Sequence, residues 1–535
     1  MCLFLFILLF NLQQNLTLKL PPTLKTLLRV LFVSYSSPTN DVLEPQSHQN
    51  LKGKVTQLDF SSLMNIGPVT ESYFTEFNSG LSLCLENHCT ITHLTLACRN
   101  SKNSLPQCTD EHLQIIGRNC HVLTHLDISF IRGLTGDGLK FLIPKKEVTE
   151  ISNPSGDSEV NISYGCPLLA TLYIFDCGFL DKDVAEVAAH LPNLEYLGYK
   201  ETGKVVKHIY KNILAKAHKT SSLDNLNDKE EEKNKLSTKT NGLKKLTHLN
   251  NLGSKARRLI ASGLRFKKPL IEAALNVSPN IQHVKVRVTD NDVANMSVLC
   301  HLKTVELMYN VGTIHSPGFG TASFLQLRGA NLSSVAFICS SVSLNTLKVV
   351  GENCPNLTEF WCRSNFFTLT SSGYENLEDD SMSPPPEFSS DHKYFQKLKT
   401  LYFRVGEGEL SIVYLPFYVL YYILRNATNL TELIIAVRSS TVNHNNMVKL
   451  LQKCEMARLE KLLIVVPGMN SLPNILNLTM NTVYFIIDYC VHLKKLGNLL
   501  SWTLEDEIEV FNDFQREITE TNFELEILNK KMLMR

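Results

Sequence analysis

The frame Cys-x-x-Leu-x-x-Leu-x-Leu, or a close relative of it, recurs along most of this chain, and that recurrence constrains the fold more tightly than any other feature of the sequence. A clear copy reads Cys120-His121-Val122-Leu123-Thr124-His125-Leu126-Asp127-Ile128, preceded by Thr109-Asp110-Glu111-His112-Leu113 and Ile115-Ile116. Others are Cys166-Pro167-Leu168-Leu169-Ala170-Thr171-Leu172-Tyr173-Ile174 and Cys354-Pro355-Asn356-Leu357-Thr358-Glu359-Phe360. The second apolar position of each copy gives a marker series: Leu58, Leu94, Leu126, Leu172, Leu197, Val284, Val305, Val335, Phe360, Leu401, Leu433, Leu462 and Leu496. Typical steps are 126 − 94 = 32, 197 − 172 = 25 and 305 − 284 = 21 residues.

Steps of this size with this frame indicate leucine-rich repeats. Each unit supplies a short strand whose alternate apolar side chains point inward, followed by a helical return with Leu and Ile at three-to-four spacing. One unit cannot bury its own apolar face, whereas stacked units bury a continuous core. The expected fold is α/β: one leucine-rich repeat solenoid, with a curved parallel sheet on its concave side and helices on its convex side. The Cys at the repeat joint reads as a small apolar residue packed between layers.

The solenoid is expected over 51–500, behind an N-terminal apolar and helical segment (1–50) and ahead of a C-terminal helical cap (501–535). Three insertions interrupt it. Residues 144–164 read as a surface loop. Residues 216–256 hold the charge run Asp228-Lys229-Glu230-Glu231-Glu232-Lys233 and no aromatic residue, which reads as a solvated or disordered segment. Residues 371–393 contain Glu378-Asp379-Asp380-Ser381-Met382-Ser383-Pro384-Pro385-Pro386, an acidic, proline-rich loop.

With 53 basic and 52 acidic residues the formal charge is +1, which gives no drive toward nucleic acid or an anionic membrane. The 14 cysteines fall mostly in the repeat frame without paired spacing, which favours a reducing compartment, cytoplasm or nucleus. Secretion is the alternative. The start Met1-Cys2-Leu3-Phe4-Leu5-Phe6-Ile7-Leu8-Leu9-Phe10 resembles the apolar part of a secretory signal but is too short to span a bilayer, and sequons such as Asn276-Val277-Ser278, Asn331-Leu332-Ser333 and Asn429-Leu430-Thr431 would suit a secreted chain.

Motifs for chemistry are missing. The sequence holds no P-loop, no Gly-x-Gly-x-x-Gly, no nucleophile elbow and no His-Glu-x-x-His, so no catalytic residue, cofactor or metal is expected. The nearest metal-like group, Cys84, His88, Cys89 and His93, lacks a second half and reads as structural.

Function is therefore expected on the concave face, where strand alternation turns the residues flanking each marker outward. Those columns hold His125, Asp127 and Ser129; Thr171, Tyr173 and Phe175; Tyr196, Gly198 and Lys200. Further along they hold His283, Lys285 and Arg287; Glu359, Trp361 and Arg363; Thr400, Tyr402 and Arg404. Trp361 is predicted beside Tyr402 and Arg363 beside Arg404, an exposed aromatic-arginine group of the kind that dominates protein interfaces. Tyr173, Phe175 and Tyr196 form a second candidate group, and Tyr199 is expected to alternate inward.

The Cys-x-x-Leu-x-x-Leu-x-Leu run with its upstream Thr109-Asp110-x-x-Leu113-x-x-Ile116 resembles the cysteine-containing leucine-rich repeats best known from F-box/leucine-rich-repeat proteins. The resemblance covers roughly 51–500. In that family an N-terminal F-box grips the Skp adaptor of an SCF-type cullin-RING ubiquitin ligase while the repeats hold a protein substrate. The segment Leu20-Pro21-Pro22-Thr23-Leu24-Lys25-Thr26-Leu27-Leu28-Arg29-Val30-Leu31-Phe32 is similar to the opening of an F-box, with Thr23 where an acidic residue is usual and no counterpart of the later Cys and Trp before Leu51. The resemblance implies a non-catalytic substrate receptor for ubiquitin-dependent protein degradation, with Leu24 and Leu28 toward the adaptor. A secreted or membrane-associated binding module and a cytosolic scaffold are the alternatives.

Overall fold

The computed structural model describes residues 56–61, most of 78–98, 108–149, 160–221, 243–250, 265–309, 316–368, 394–405, 417–437 and most of 442–528. Residues 1–50, with Leu24 and Leu28, and the expected loop 371–393 lie outside the described residues.

Two compact units divide the chain. The first comprises 1–199 and 211–246, the second 200–210 and 247–535. In the first, strands β1 (Gln57–Asp59), β2 (His93–Thr95), β3 (His125–Asp127), β6 (Thr171–Tyr173) and β7 (Tyr196–Gly198) form one parallel sheet. Strands β4 (Lys145–Thr149) and β5 (Val160–Tyr164) form a separate antiparallel hairpin. The insertion expected at 144–164 is thus bounded by paired strands. In the second unit, β8 (His248–Asn250), β9 (His283–Val288), β10 (Thr304–Tyr309), β11 (Ser334–Ser343), β12 (Glu359–Thr368), β13 (Thr400–Val405), β14 (Glu432–Val437), β15 (Lys461–Val465), β16 (Lys495–Gly497) and β17 (Glu526–Leu528) form a ten-stranded parallel sheet in chain order. Both sheets are leucine-rich-repeat stacks. Among the described residues no strand pairs β7 with β8.

The marker positions stand opposite one another in register. Leu58, Leu94, Leu126, Leu172 and Leu197 make one column. Leu249, Val284, Val305, Val335, Phe360, Leu401, Leu433, Leu462, Leu496 and Ile527 make the other. From Leu58 to Leu496 every marker is buried, Leu94, Leu126, Val305, Val335 and Phe360 completely. Burial of each is worth roughly 1.5–3 kcal/mol.

Leu249 and Ile527 are extra to the sequence series. Leu249 sits on β8, inside the span 216–256 that the charge run assigns to an insertion, and Leu243 and Leu246 beside it are buried. The repeat resumes there, well before Ile281. At the other end, α12 (Ile508–Glu520) is followed by β17, which adds one more strand to the sheet.

The described helices are α1 (Asp110–Asn119), α2 (Gly136–Lys140), α3 (Asp181–Ala189), α4 (Thr202–Ser221), α5 (Lys268–Val277), α6 (Asp290–Asn295), α7 (Phe319–Arg328), α8 (Leu344–Asn353), α9 (Phe417–Leu424), α10 (His444–Lys453), α11 (Met480–Tyr489) and α12. The joint cysteine closes several of them. Cys120, Cys354, Cys454 and Cys490 are the C-caps of α1, α8, α10 and α11, each donating its N–H to the carbonyl four residues back. All four are buried, and burial pushes their thiols up to about 12, so they pack as neutral apolar groups.

Neighbouring repeats are also tied by polar side chains. Asn193, Asn356 and Asn429 donate Nδ2 to carbonyls of the preceding repeat, Pro167, Ala330 and Gln396, at 2.7–2.8 Å. Their Oδ1 atoms accept from a cation of the following repeat: Lys245 Nζ at 2.6 Å, Lys397 Nζ at 2.7 Å and Arg458 Nη1 at 2.6 Å. The hydroxyls of Thr358 and Thr431 reach back to Ser333 and Lys399 carbonyls. The recurring Asn-Leu-Thr therefore has a structural origin in stacking.

The Asp of the Thr-Asp frame caps the next helix. Asp290 accepts from Gly318 N (2.8 Å), Gly320 N (2.6 Å), Thr321 N (2.9 Å) and Thr321 Oγ1 (2.6 Å) at the start of α7. Asp110 does the same for α2 through Thr135 N and Oγ1. A Cβ at Gly138 would stand 2.0 Å from Asp110 Oδ1, so glycine is what allows that approach.

Both tryptophans, Trp361 and Trp502, belong to the second unit, so tryptophan fluorescence follows its unfolding alone. Asp290→Ala leaves four donors of α7 without their acceptor and is expected to cost about 1.5–3 kcal/mol in a urea titration read this way. An unchanged midpoint would show that water replaces the carboxylate at no cost.

Candidate interaction surface

Inward and outward residues alternate along Glu359–Ser364 of β12 and along β13. Phe360, Cys362 and Ser364 of β12 and Leu401, Phe403 and Val405 of β13 are buried inward. Glu359, Trp361 and Arg363 and their partners Thr400, Tyr402 and Arg404 face the other way, in register pair by pair. The Trp361 and Tyr402 rings stack with centroids 4.6 Å apart and an interplanar angle of 22°. The predicted adjacency of the two aromatics and of the two arginines is thus present in the structure.

Tyr402 differs from expectation in exposure. Only 6% of it is accessible, because its row continues across β14 and β15 with Ile434 (9%) and Leu463 (3%), against which Trp361 and Val465 pack. Trp361 is the half-buried, reachable ring at the end of an apolar row. The signal for that row lies in the runs Leu433-Ile434-Ile435 and Leu462-Leu463-Ile464, where an apolar residue sits between two inward ones.

In the column beside this row two ion pairs form. Lys461 pairs with Glu432, and Lys495 with Glu526 at 2.8 Å. Arg363 and Arg404 are half-buried one position further along their strands. Asn365 Oδ1, at the next outward position of β12, is buried with no hydrogen-bond partner among the described residues. His283, Lys285 and Arg287 lie on β9, with β10 and β11 between them and this patch, and Lys285 pairs with Glu306 at 2.8 Å.

The first unit brings the second candidate group together. Tyr173 lies 4.9 Å from Tyr196, 6.2 Å from Phe175 and 5.3 Å from His125, whose ring stacks on His93 at 5.5 Å. Gly198 makes this packing possible: a Cβ there would stand 2.5 Å from Tyr173 Cδ1 and 2.9 Å from Phe175 Cε2. Ser129, expected outward, is buried because β3 ends at Asp127 and the chain turns, with Ser129 N donating to Asp127 Oδ1 at 2.9 Å. Lys200, also expected in a column, lies past the end of β7. Tyr199 is buried as alternation predicts, its hydroxyl donating to Asp181 Oδ1 at 2.7 Å.

A second histidine stack, His248 on His283 at 4.1 Å and 12°, opens the ten-stranded sheet. Its signal was present in Leu246-Thr247-His248-Leu249, a copy of Leu123-Thr124-His125-Leu126. Burial and the neighbouring His283 push His248 down from 6.5 to about 4, and burial lowers His283 too. Among the described residues no three His, Cys, Asp or Glu side chains converge to hold a metal; of the group Cys84, His88, Cys89 and His93, His88 lies outside them, Cys84 is buried and Cys89 is exposed.

No protein-family model and no curated protein sequence matches the chain. The solved structures to which the chain is similar include two leucine-rich-repeat-type complexes. One is a TLR13–ssRNA13 complex, at 12% identity and a TM-score of 0.32, covering 78% of this chain and 51% of that one. The other is the Rad7 and Elc1 complex in yeast, at 13% identity and a TM-score of 0.37, covering 86% of this chain and 93% of that one. This chain thus spans about half of the first.

Trp361→Ala is expected to leave the second unit's thermal midpoint nearly unchanged, whereas Tyr402→Ala removes a buried ring and costs about 3–5 kcal/mol. Circular dichroism melts of both variants check this; equal losses would mean that Trp361 is core.

The depressed pKa of His248 also has a sign. The unfolded chain takes up a proton near pH 6.5 and the folded chain only near 4, so stability is full above 6.5 and falls as pH drops toward 4. Replacing His248 with Asn should flatten that part of the decline seen in urea midpoints; parallel curves for variant and wild type would contradict the shift.

Proposed function

We propose that this chain is a non-catalytic protein-binding leucine-rich repeat protein that recruits a substrate to an SCF-type cullin-RING ubiquitin ligase in the cytoplasm or nucleus. The observation that carries the binding role is the Trp361–Tyr402 stack, with Arg363 and Arg404 in register beside it, on the outward face of the ten-stranded sheet. A reachable tryptophan backed by a buried aromatic row is a preorganised anchor, and arginine and tryptophan are the types that supply most energy at protein interfaces.

Attachment to the ligase rests on the resemblance of the repeat frame and of Leu20–Phe32 to F-box/leucine-rich-repeat proteins. Leu24 and Leu28 then face the Skp adaptor, and the substrate occupies the sheet face. Among the described residues no helix is long and apolar enough to cross a membrane.

Affinity purification of the tagged full chain from cells tests the reading. Skp and cullin subunits are expected in the eluate and should be lost on Leu24→Asp with Leu28→Asp. Trp361→Ala should keep the adaptor and weaken the substrate by about 2 kcal/mol, roughly 30-fold. An eluate free of both subunits, with the chain carrying glycans at Asn429, would favour a secreted binding module instead.

A further inference from the structure

The outer face of the five-stranded sheet carries a surface of different chemistry from the Trp361 patch, and its occupant goes beyond the reading above. The outward positions of β1, β2, β3, β6 and β7 include the carboxylates of Asp59 and Asp127 and no lysine or arginine. Asp59 Oδ1 accepts from Ser61 N at 2.8 Å and Asp127 Oδ1 from Ser129 N at 2.9 Å, which fixes each carboxylate in the same pose. Beside Asp127 in register stands Tyr173, joined by Tyr196, Phe175 and His125 into a continuous group of rings.

Tyr173 and Phe175 lean across β7 over Gly198, where no side chain intervenes. Tyr173 and Tyr196 are each half-buried, and the face of such a ring carries a negative quadrupole. Burial and the adjacent His93 lower the proton affinity of His125, so that ring adds no opposing positive charge at neutral pH. The outward positions of these strands therefore combine aromatic rings and a preset carboxylate with no cation.

The geometry points to a docking site for an arginine-bearing basic peptide on this face, the guanidinium lying on Tyr173 and Tyr196 and donating to Asp127. Charge complementarity selects a cation, and the flat donor edge of a guanidinium suits a ring face bordered by a carboxylate better than the point charge of an ammonium. An acidic or purely apolar segment would desolvate Asp127 without compensation.

Fluorescence anisotropy of the full chain with three labelled peptides, alternating arginine-glycine, lysine-glycine and glutamate-glycine, tests the site. The arginine peptide should bind best and the glutamate peptide not at all. Asp127→Asn, which keeps the side chain's shape, and Tyr173→Ala should each weaken the arginine peptide about tenfold or more, while Tyr173→Phe retains the ring and most of the affinity. Should Tyr173→Ala fail to fold, Asp127→Asn and Tyr173→Phe still decide. Equal binding of the glutamate peptide, full affinity in Asp127→Asn, displacement by a neutral oligosaccharide but not by salt, or loss on Trp361→Ala instead would each overturn the assignment.

Discussion

An apolar side chain that one repeat cannot bury is buried by the next, and everything else in this molecule depends on that mutual burial. The columns from Leu58 to Leu197 and from Leu249 to Ile527 express it residue by residue. Because adjacent strands stand about 4.8 Å apart in register, the same geometry that stacks the inward column also aligns the outward ones. Trp361 meets Tyr402 and Arg363 meets Arg404 only because Phe360 and Leu401 are already paired. Core and surface are set by one register, since a shift of one residue would exchange them.

Polar groups secure that register where apolar packing alone would allow slippage. Each frame Asn holds a carbonyl of the repeat before and a cation of the repeat after, so Asn193, Asn356 and Asn429 act as couplings between three consecutive units. Asp110 and Asp290 satisfy the orphan N–H groups at the start of the next helix, which a stacked helix cannot leave unpaired. The buried cysteines at the helix ends complete the joint with a small, neutral side chain. Asn356 and Asn429 of the Asn-Leu-Thr runs, the joint cysteines and the acidic cap residues thus share one cause.

Periodicity made the strands legible in the sequence, since every predicted marker falls on a strand of one sheet or the other. The strand at Leu249 was hidden because the charge run at 228–233 dominates its surroundings, although Leu246-Thr247-His248-Leu249 is a plain copy of the frame. Alternation also placed Trp361 and Tyr402 side by side, but exposure is not a pairwise property. Tyr402 is buried by Ile434 and Leu463, two strands whose outward positions happen to be apolar. Ser129 illustrates the opposite limit: alternation holds only while the strand lasts, and β3 is three residues long.

Helix and sheet faces make opposite claims on a partner. Leu327 on α7 is 67% exposed and apolar, whereas Trp361 is half-buried and backed by a packed row. Photo-crosslinking from a benzoylphenylalanine placed at position 361 or at position 327, in cells, tests most directly whether the sheet face is where partners sit. Adducts to a discrete protein from 361 and none from 327 are predicted. Adducts from 327 with none from 361 would contradict the account and move the binding surface to the helices.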